Sequence, residues 1–270
     1  MAEETSERPA EAIVTLAEEL EKQVRMAAER LGMSAPEIVH AALHQFLHHD
    51  PKRNAVYLSA PFDALMKGCY EENTTIKDLK RHGNFGLGTF NNLDGEMMML
   101  DGTVYQLKED GFAHPVSDTV ETPFSCVTFF SPTTMEEIHR EMDYAGFKNL
   151  LDELMPSENV FSAIRIDAEF SHIRVWSVPK QETHRPISEV RPAVFEYHDV
   201  KGTLAGFYTP RFIKSLLNPG YHLHFLTDDR RHGGHLDQCS LNQLTIGVQI
   251  IPRLELNLPI TIDYLTAKLV

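Results

Sequence analysis

The chain has 270 residues, 42 % of them hydrophobic and 24 % charged, with 15 glycines and 15 prolines, a composition that describes a folded globular protein and excludes collagen, disorder and a disulfide mini-scaffold. Its 25 basic residues face 39 acidic ones for a net charge of −14, which argues against nucleic acid and anionic membrane surfaces as partners. Three widely spaced cysteines, Cys69, Cys126 and Cys239, build neither a thiolate metal site nor a disulfide framework, whereas 14 histidines leave room for an imidazole site.

The sequence opens Met1-Ala2-Glu3-Glu4, with no basic patch followed by an apolar core, and nowhere holds an apolar run long enough for a membrane span. It therefore reads as a cytoplasmic protein, in keeping with unpaired cysteines. Residues 1–50 are expected to form a helical arm. An extended run, Ala12 to Leu16, precedes a helix with Leu20, Val24, Ala27, Ala28 and Leu31 at helical spacing, and Gly32 stops it. Ser34-Ala35-Pro36-Glu37 is a capping box that starts a second helix, with Ile38, Ala42, Leu43, Phe46 and Leu47 on one face. Strand, helix, turn and helix resemble the ribbon-helix-helix module of small bacterial repressors, which intertwines two chains and reads DNA with paired strands. Charge opposes the DNA-reading half of that resemblance: Arg8, Lys22, Arg25 and Arg30 are outnumbered by acidic side chains, and Glu11 and Thr15 stand where cations are needed. A dimerising arm and a solvated helical hairpin remain as readings, and the polar stretch His48 to Asn54, with Pro51, reads as a linker.

Beyond residue 55 the pattern is mostly short strands: Phe124 to Phe130, Val160 to Ile166, Ile173 to Val178, Gly202 to Tyr208 and Leu244 to Ile251 are β-branched or aromatic runs between turn signals. Helical periodicity interrupts at Met135 to Leu154 and briefly at Pro210 to Leu217. The expected class is α+β, mostly β, without a parallel βαβ rhythm.

The densest chemistry lies in Pro219-Gly220-Tyr221-His222-Leu223-His224-Phe225, followed by Asp228-Asp229-Arg230-Arg231-His232-Gly233-Gly234-His235. On a strand, His222 and His224 project to the same face, and the polar run ending in Gly233-Gly234 can return the chain so that His235 joins them. Three neutral imidazoles leave a coordination position open, as in a catalytic zinc site. An exposed strand pair is the plainer alternative. A cupin-type site also starts from His-x-His but needs a glutamate soon after, where this chain has Asp228 and Asp229.

A glycine-rich stretch, His82-Gly83-Asn84-Phe85-Gly86-Leu87-Gly88-Thr89-Phe90, lacks the Gly-Lys-Ser/Thr of a nucleotide loop. Asp94-Gly95 reads as a turn and Glu96 as the start of the next strand, facing solvent when taken alone.

Taken together, Gly86-Leu87-Gly88-Thr89-Phe90, Leu93-Asp94-Gly95-Glu96-Met97, Asp101-Gly102-Thr103, Val178-Pro179-Lys180-Gln181, Lys201-Gly202-Thr203-Leu204, Gly206-Phe207-Tyr208-Thr209-Pro210 and the histidine stretch resemble, in order and spacing, the α-acetolactate decarboxylase family over residues 55–260. The resemblance implies a zinc enzyme that converts 2-acetolactate to (R)-acetoin and CO2 through a metal-chelated enediolate. It also implies a mixed β-sheet domain over residues 55–175, a small β-barrel over residues 176–270 that carries the metal site, and a homodimer. The family's three zinc-binding histidines fall on His222, His224 and His235, its glutamate near the metal on Glu96, which would relay the proton, and a pocket threonine on Thr89.

Two positions depart from the family pattern. Trp176 stands where an arginine normally faces the substrate, with Arg174 two residues earlier on the same strand face, about 7 Å away, as a candidate replacement. The segment from Ile260 onward holds no glutamate, whereas family members usually return one to the active site from their C-terminus. These departures leave open a related metal-dependent lyase or isomerase acting on a bulkier hydroxy-keto acid, and a catalytically impaired, ligand-sensing homologue.

Overall fold

The computed structural model describes residues 15–31, 34–39, 54–155, 157–183 and 185–269. The chain divides into two compact units, residues 1–50 and 51–270. In the first, the predicted helix spans Glu18–Leu31, with Glu18, Glu19 and Glu21 in its first turn, where the helix dipole favours negative charge. Arg25 reaches back one turn to Glu21 at 2.6 Å. Ala28 on the apolar stripe is buried, whereas Leu20 is 48 % exposed. The capping box forms as expected: the Ser34 backbone N–H and hydroxyl both donate to Glu37 Oε2 at 2.7 Å, and residues 35–39 are helical. Residues 12–14 of the expected strand, Ala42, Leu43, Phe46 and Leu47 of the second helix, and most of the linker lie outside the described residues. The ribbon-helix-helix resemblance is thus not confirmed.

The second unit is built on strands β1 (Ala55–Leu58), β2 (Thr74–Thr75), β3 (Phe85–Thr89), β4 (Glu96–Leu100), β5 (Thr103–Leu107), β6 (Ala113–Pro115), β7 (Glu121–Thr122), β8 (Ser125–Thr128), β9 (Thr134–Met142), β10 (Phe161–Ser177), β11 (Ala193–Thr209), β12 (Gly220–Thr227), β13 (Gly233–Ile251) and β14 (Arg253–Leu256). A seven-stranded mixed sheet runs in the order β14-β1-β8-β3-β4-β5-β6, parallel only at β1–β14. A five-stranded antiparallel sheet joins β10-β11-β12-β13-β9, with a further pairing of β10 to β13.

The two sheets bury a common core. Leu87, Met98 and Leu107 of the first meet Ala163, Phe207 and Leu226 of the second, and Phe85 meets Phe207 edge to face at 6.0 Å. This explains why β3 and β4, Phe-Gly-Leu-Gly-Thr and Glu-Met-Met-Met-Leu, do not alternate: every residue of both strands is buried, because each face of this sheet is covered. A second cluster, including Ile164, Leu204, Phe225 and Ile246, packs against Phe147, Leu150 and Leu151 of the helix Tyr144–Leu154.

Several expectations are revised. The segment Met135 to Leu154 is helical only in its second half; Thr134–Met142 is an edge strand, because β13 offers it a ladder and its charged side chains stay in water. Asp143 separates the two elements, its Oδ1 accepting from the Gly146 N–H at 2.8 Å as the helix cap. The predicted strands Val160 to Ile166 and Ile173 to Val178 are one 17-residue strand, β10, so position 176 lies inside a strand. The small barrel over residues 176–270 is not confirmed as a separate unit, since β9 and β10 also belong to its sheet. The brief helix at Pro210 to Leu217 shrinks to a 3-10 turn, Arg211–Ile213. Cys69, Cys126 and Cys239 are all free and buried, and no helix among the described residues is long and apolar enough to cross a membrane.

Candidate metal centre

Strand register assembles the site. His222 and His224 alternate to one face of β12, and the hairpin to β13 sets His235 directly opposite His224. On its other edge β13 pairs His235 with Trp176 of β10, and the indole stacks on the His235 ring with centroids 4.0 Å apart at 21°. One ligand nitrogen from each histidine lies within 4.8 Å of the others. The close approach of β11 to β12 depends on Gly206: a Cβ there would strike the carbonyl oxygen of His222. Gly206→Ala is therefore expected to push the two strands apart, costing about 1–3 kcal/mol in chemical denaturation and weakening metal retention.

The mixed sheet supplies the other half. His224 Nδ1 is 2.7 Å from the carbonyl oxygen of Met97 on β4. A carbonyl only accepts, so Nδ1 carries the proton and the Nε2 lone pair turns inward, the orientation a metal ligand needs. His222 Nε2 lies 3.2 Å from His224 Nε2, close to the roughly 3.3 Å that separates two nitrogens on one tetrahedral zinc. Burial holds all three rings neutral, taking His222 down to about 4 and His224 and His235 well below their ordinary value, with the neighbouring imidazoles adding to the effect on the last two. Three desolvated, neutral, converging imidazoles fit a divalent cation of the zinc class.

Glu96 is buried rather than solvent-facing, because β12 packs over the start of β4. Its Oε2 lies 3.6 Å from His224 Nε2, and burial pushes its carboxyl up to about 8. Both groups are held in their neutral forms, so this contact is a protonated acid beside a neutral ring, not an ion pair.

Glu96, His222 and His235 open onto a cavity of about 330 Å³ whose lining includes Thr89, Trp176 and Val178. Thr89 pairs with Glu96 across β3 and β4 and donates its hydroxyl proton to the Gly95 carbonyl at 2.7 Å, which fixes the turn that delivers Glu96. Arg174 is not brought to the cavity: it lies 3.2 Å from Asp237 and 3.8 Å from Glu196, with its pairing shifted by the irregularity between Arg174 and Val175. Sequence reasoning missed the apolar walls, Phe62, Leu65, Met66, Phe124 and Ile187, and the polar Asn218. These come from loops and short helices whose convergence no local pattern announces; only Asn218, just before Pro219-Gly220, sat beside a motif.

A sequence model described as alpha-acetolactate decarboxylase matches residues 56–270. The chain belongs to the alpha-acetolactate decarboxylase family. It is 39 % identical over 221 residues to the alpha-acetolactate decarboxylase of Methanosarcina mazei, covering 80 % of this chain and 76 % of that one. With the alpha-acetolactate decarboxylase of Methylococcus capsulatus it shares 41 % identity over 229 residues, 84 % of this chain and 87 % of the other. The crystal structure of alpha-acetolactate decarboxylase from Bacillus subtilis strain 168 superposes with a TM-score of 0.77 at 34 % identity, over 80 % of this chain and 93 % of that one. The mostly β architecture is thus that of the family, and the match leaves residues 1–55 outside it.

Proposed function

We propose that this family member holds a zinc ion with His222, His224 and His235 and decarboxylates 2-acetolactate to (R)-acetoin and CO2. One observation carries the reading: three converging imidazoles stand beside a buried carboxyl at the wall of one apolar cavity. When bound, the cation supplies positive charge for the ketone and hydroxyl oxygens, where negative charge develops as the carbon–carbon bond to the carboxylate breaks.

The chain's own residues do the rest. The walls contributed by Phe62, Leu65, Phe124, Trp176 and Val178 exclude water and offer a carboxylate poor solvation, so they favour the conversion of that charged group into neutral CO2. Among the described residues lining the cavity there is no lysine or arginine to offset this. Glu96, whose carboxyl is pushed up by burial, is placed at the cavity wall to deliver a proton to one face of the substrate carbon, which fixes the configuration of the product. Thr89 holds the Glu96 turn in register, and Trp176 braces His235.

The same reading carries a homodimer in the cytoplasm, and the pairing circuit β10-β11-β12-β13-β10 supports treating these strands as the small barrel of the metal-bearing domain. Racemic 2-acetolactate incubated with the purified chain is expected to give acetoin with a large excess of the R enantiomer on chiral chromatography. Racemic acetoin formed no faster than in buffer would contradict the proposal. The flat indole wall and the cavity volume favour a second reading, a bulkier hydroxy-keto acid as substrate. A higher kcat/KM for the 2-ethyl homologue than for 2-acetolactate would select it.

A further inference from the structure

A second set of metal-binding side chains lies outside the cavity. His172 on β10 and His198 on β11 are directly opposed in the antiparallel register, and Glu196 sits two residues before His198, so strand alternation sends all three to one face. One ligand atom from each lies within 4.8 Å of the others. The two imidazole rings are 5.0 Å apart at 36°, and His172 Nε2 is 3.5 Å from Glu196 Oε2. The other carboxylate oxygen, Oε1, lies 3.8 Å from Arg174 Nε, which Asp237 holds more closely at 3.2 Å. Arg174 thus faces the Oε1 side of Glu196 and the nearer Asp237, and Oε2 is the oxygen turned towards His172.

Two imidazoles and a carboxylate on adjacent strands form a three-donor set with positions left for water, which suits a borderline divalent ion. We propose that His172, Glu196 and His198 form a second, surface zinc site that clips β10 to β11. The site is independent of the triad: His172 is four residues before Trp176 on β10, about 13 Å along the strand, and none of its three ligands lines the cavity. The clip joins two strands that each span 17 residues, so an ion there binds only when both are paired and stabilises the folded chain.

The test uses the full chain, stripped of metal and titrated with Zn2+ under equilibrium dialysis with elemental analysis. The wild type is expected to bind two equivalents, and His198→Ala one, with its rate on 2-acetolactate unchanged and the zinc-induced rise in Tm reduced. Glu196→Gln, which keeps shape and removes charge, is expected to weaken one equivalent at least about tenfold. His222→Ala separates the two sites: it is expected to lose the other equivalent and keep the one that His198→Ala loses. Two equivalents retained by His198→Ala, or a wild type that binds one equivalent and loses it in His222→Ala, would overturn the surface site. If His222→Ala keeps both equivalents while His198→Ala loses one, the triad reading fails and the surface site stands.

Discussion

Glu96→Gln is expected to lower kcat on 2-acetolactate by about 10² to 10⁴-fold, the range for loss of a positioned proton donor, while the protein keeps the metal of the triad. The amide has nearly the shape of the carboxylic acid and still fits the buried start of β4, so it leaves the three imidazoles in place. It cannot deliver a proton to carbon. Steady-state kinetics combined with zinc determination on the same preparation checks this. The decisive comparison is with a rate that is unchanged, which would remove Glu96 from the proton step, and with metal that is lost, which would make it part of the ion's support. Because Glu96 lies 3.6 Å from His224 Nε2, these outcomes are distinguishable only when metal and rate are measured together.

His224→Ala is expected to have the larger structural effect of the three histidine truncations. The ring is fully buried, and its Nδ1–H is bonded to the carbonyl of Met97, a polar tie between the two sheets. Truncation removes this hydrogen bond, worth about 0.5–1.5 kcal/mol, leaves a cavity where the ring was, and removes one of three donors, so metal affinity is expected to fall more than a hundredfold. Chemical denaturation of the metal-stripped proteins separates the two consequences: the variant is less stable than the wild type even without metal. Equal stability of the stripped proteins would show that the Met97 bond contributes nothing, and zinc retention at wild-type affinity would remove His224 from the ligand set.

The convergence of the three histidines was legible in the sequence for a simple reason. His222 and His224 are two apart on a strand, and strand alternation is a local rule; His235 follows a short polar hairpin, so its return opposite His224 needs no distant information. Glu96 was different. Its strand and turn were readable from Asp94-Gly95, but its burial, and hence its protonation, comes from β12 lying over β4, a contact between residues more than a hundred positions apart. Taken alone it read as a solvent-facing strand residue, and only the family pattern pointed to it. The Met97 carbonyl that fixes the His224 tautomer has no side-chain signature at all. Arg174 shows the limit of the same alternation rule: same-face spacing placed it beside Trp176, yet the irregularity between Arg174 and Val175 and the carboxylates of Asp237 and Glu196 hold it elsewhere. The segment Met135 to Met142 shows another limit, since a run of strong helix formers becomes an edge strand once β13 presents an unpaired ladder.

The resemblance implies an arginine at position 176, and the cavity wall has an indole there instead. A guanidinium there would stabilise a bound carboxylate, whereas the indole offers it poor solvation and stacks on His235. In the proposed reaction the driving force comes from the cation site and from desolvation of the carboxylate.

The measurement that tests this most directly is the rate of acetoin formation from 2-acetolactate by the purified chain before chelation, after removal of metal, and after reloading with zinc, with His222→Ala treated in the same way. The wild type is expected to lose its activity on chelation and regain it with zinc, and His222→Ala to stay inactive throughout. A wild type whose rate is the same with and without metal, or a His222→Ala variant as fast as the reloaded wild type, would contradict this.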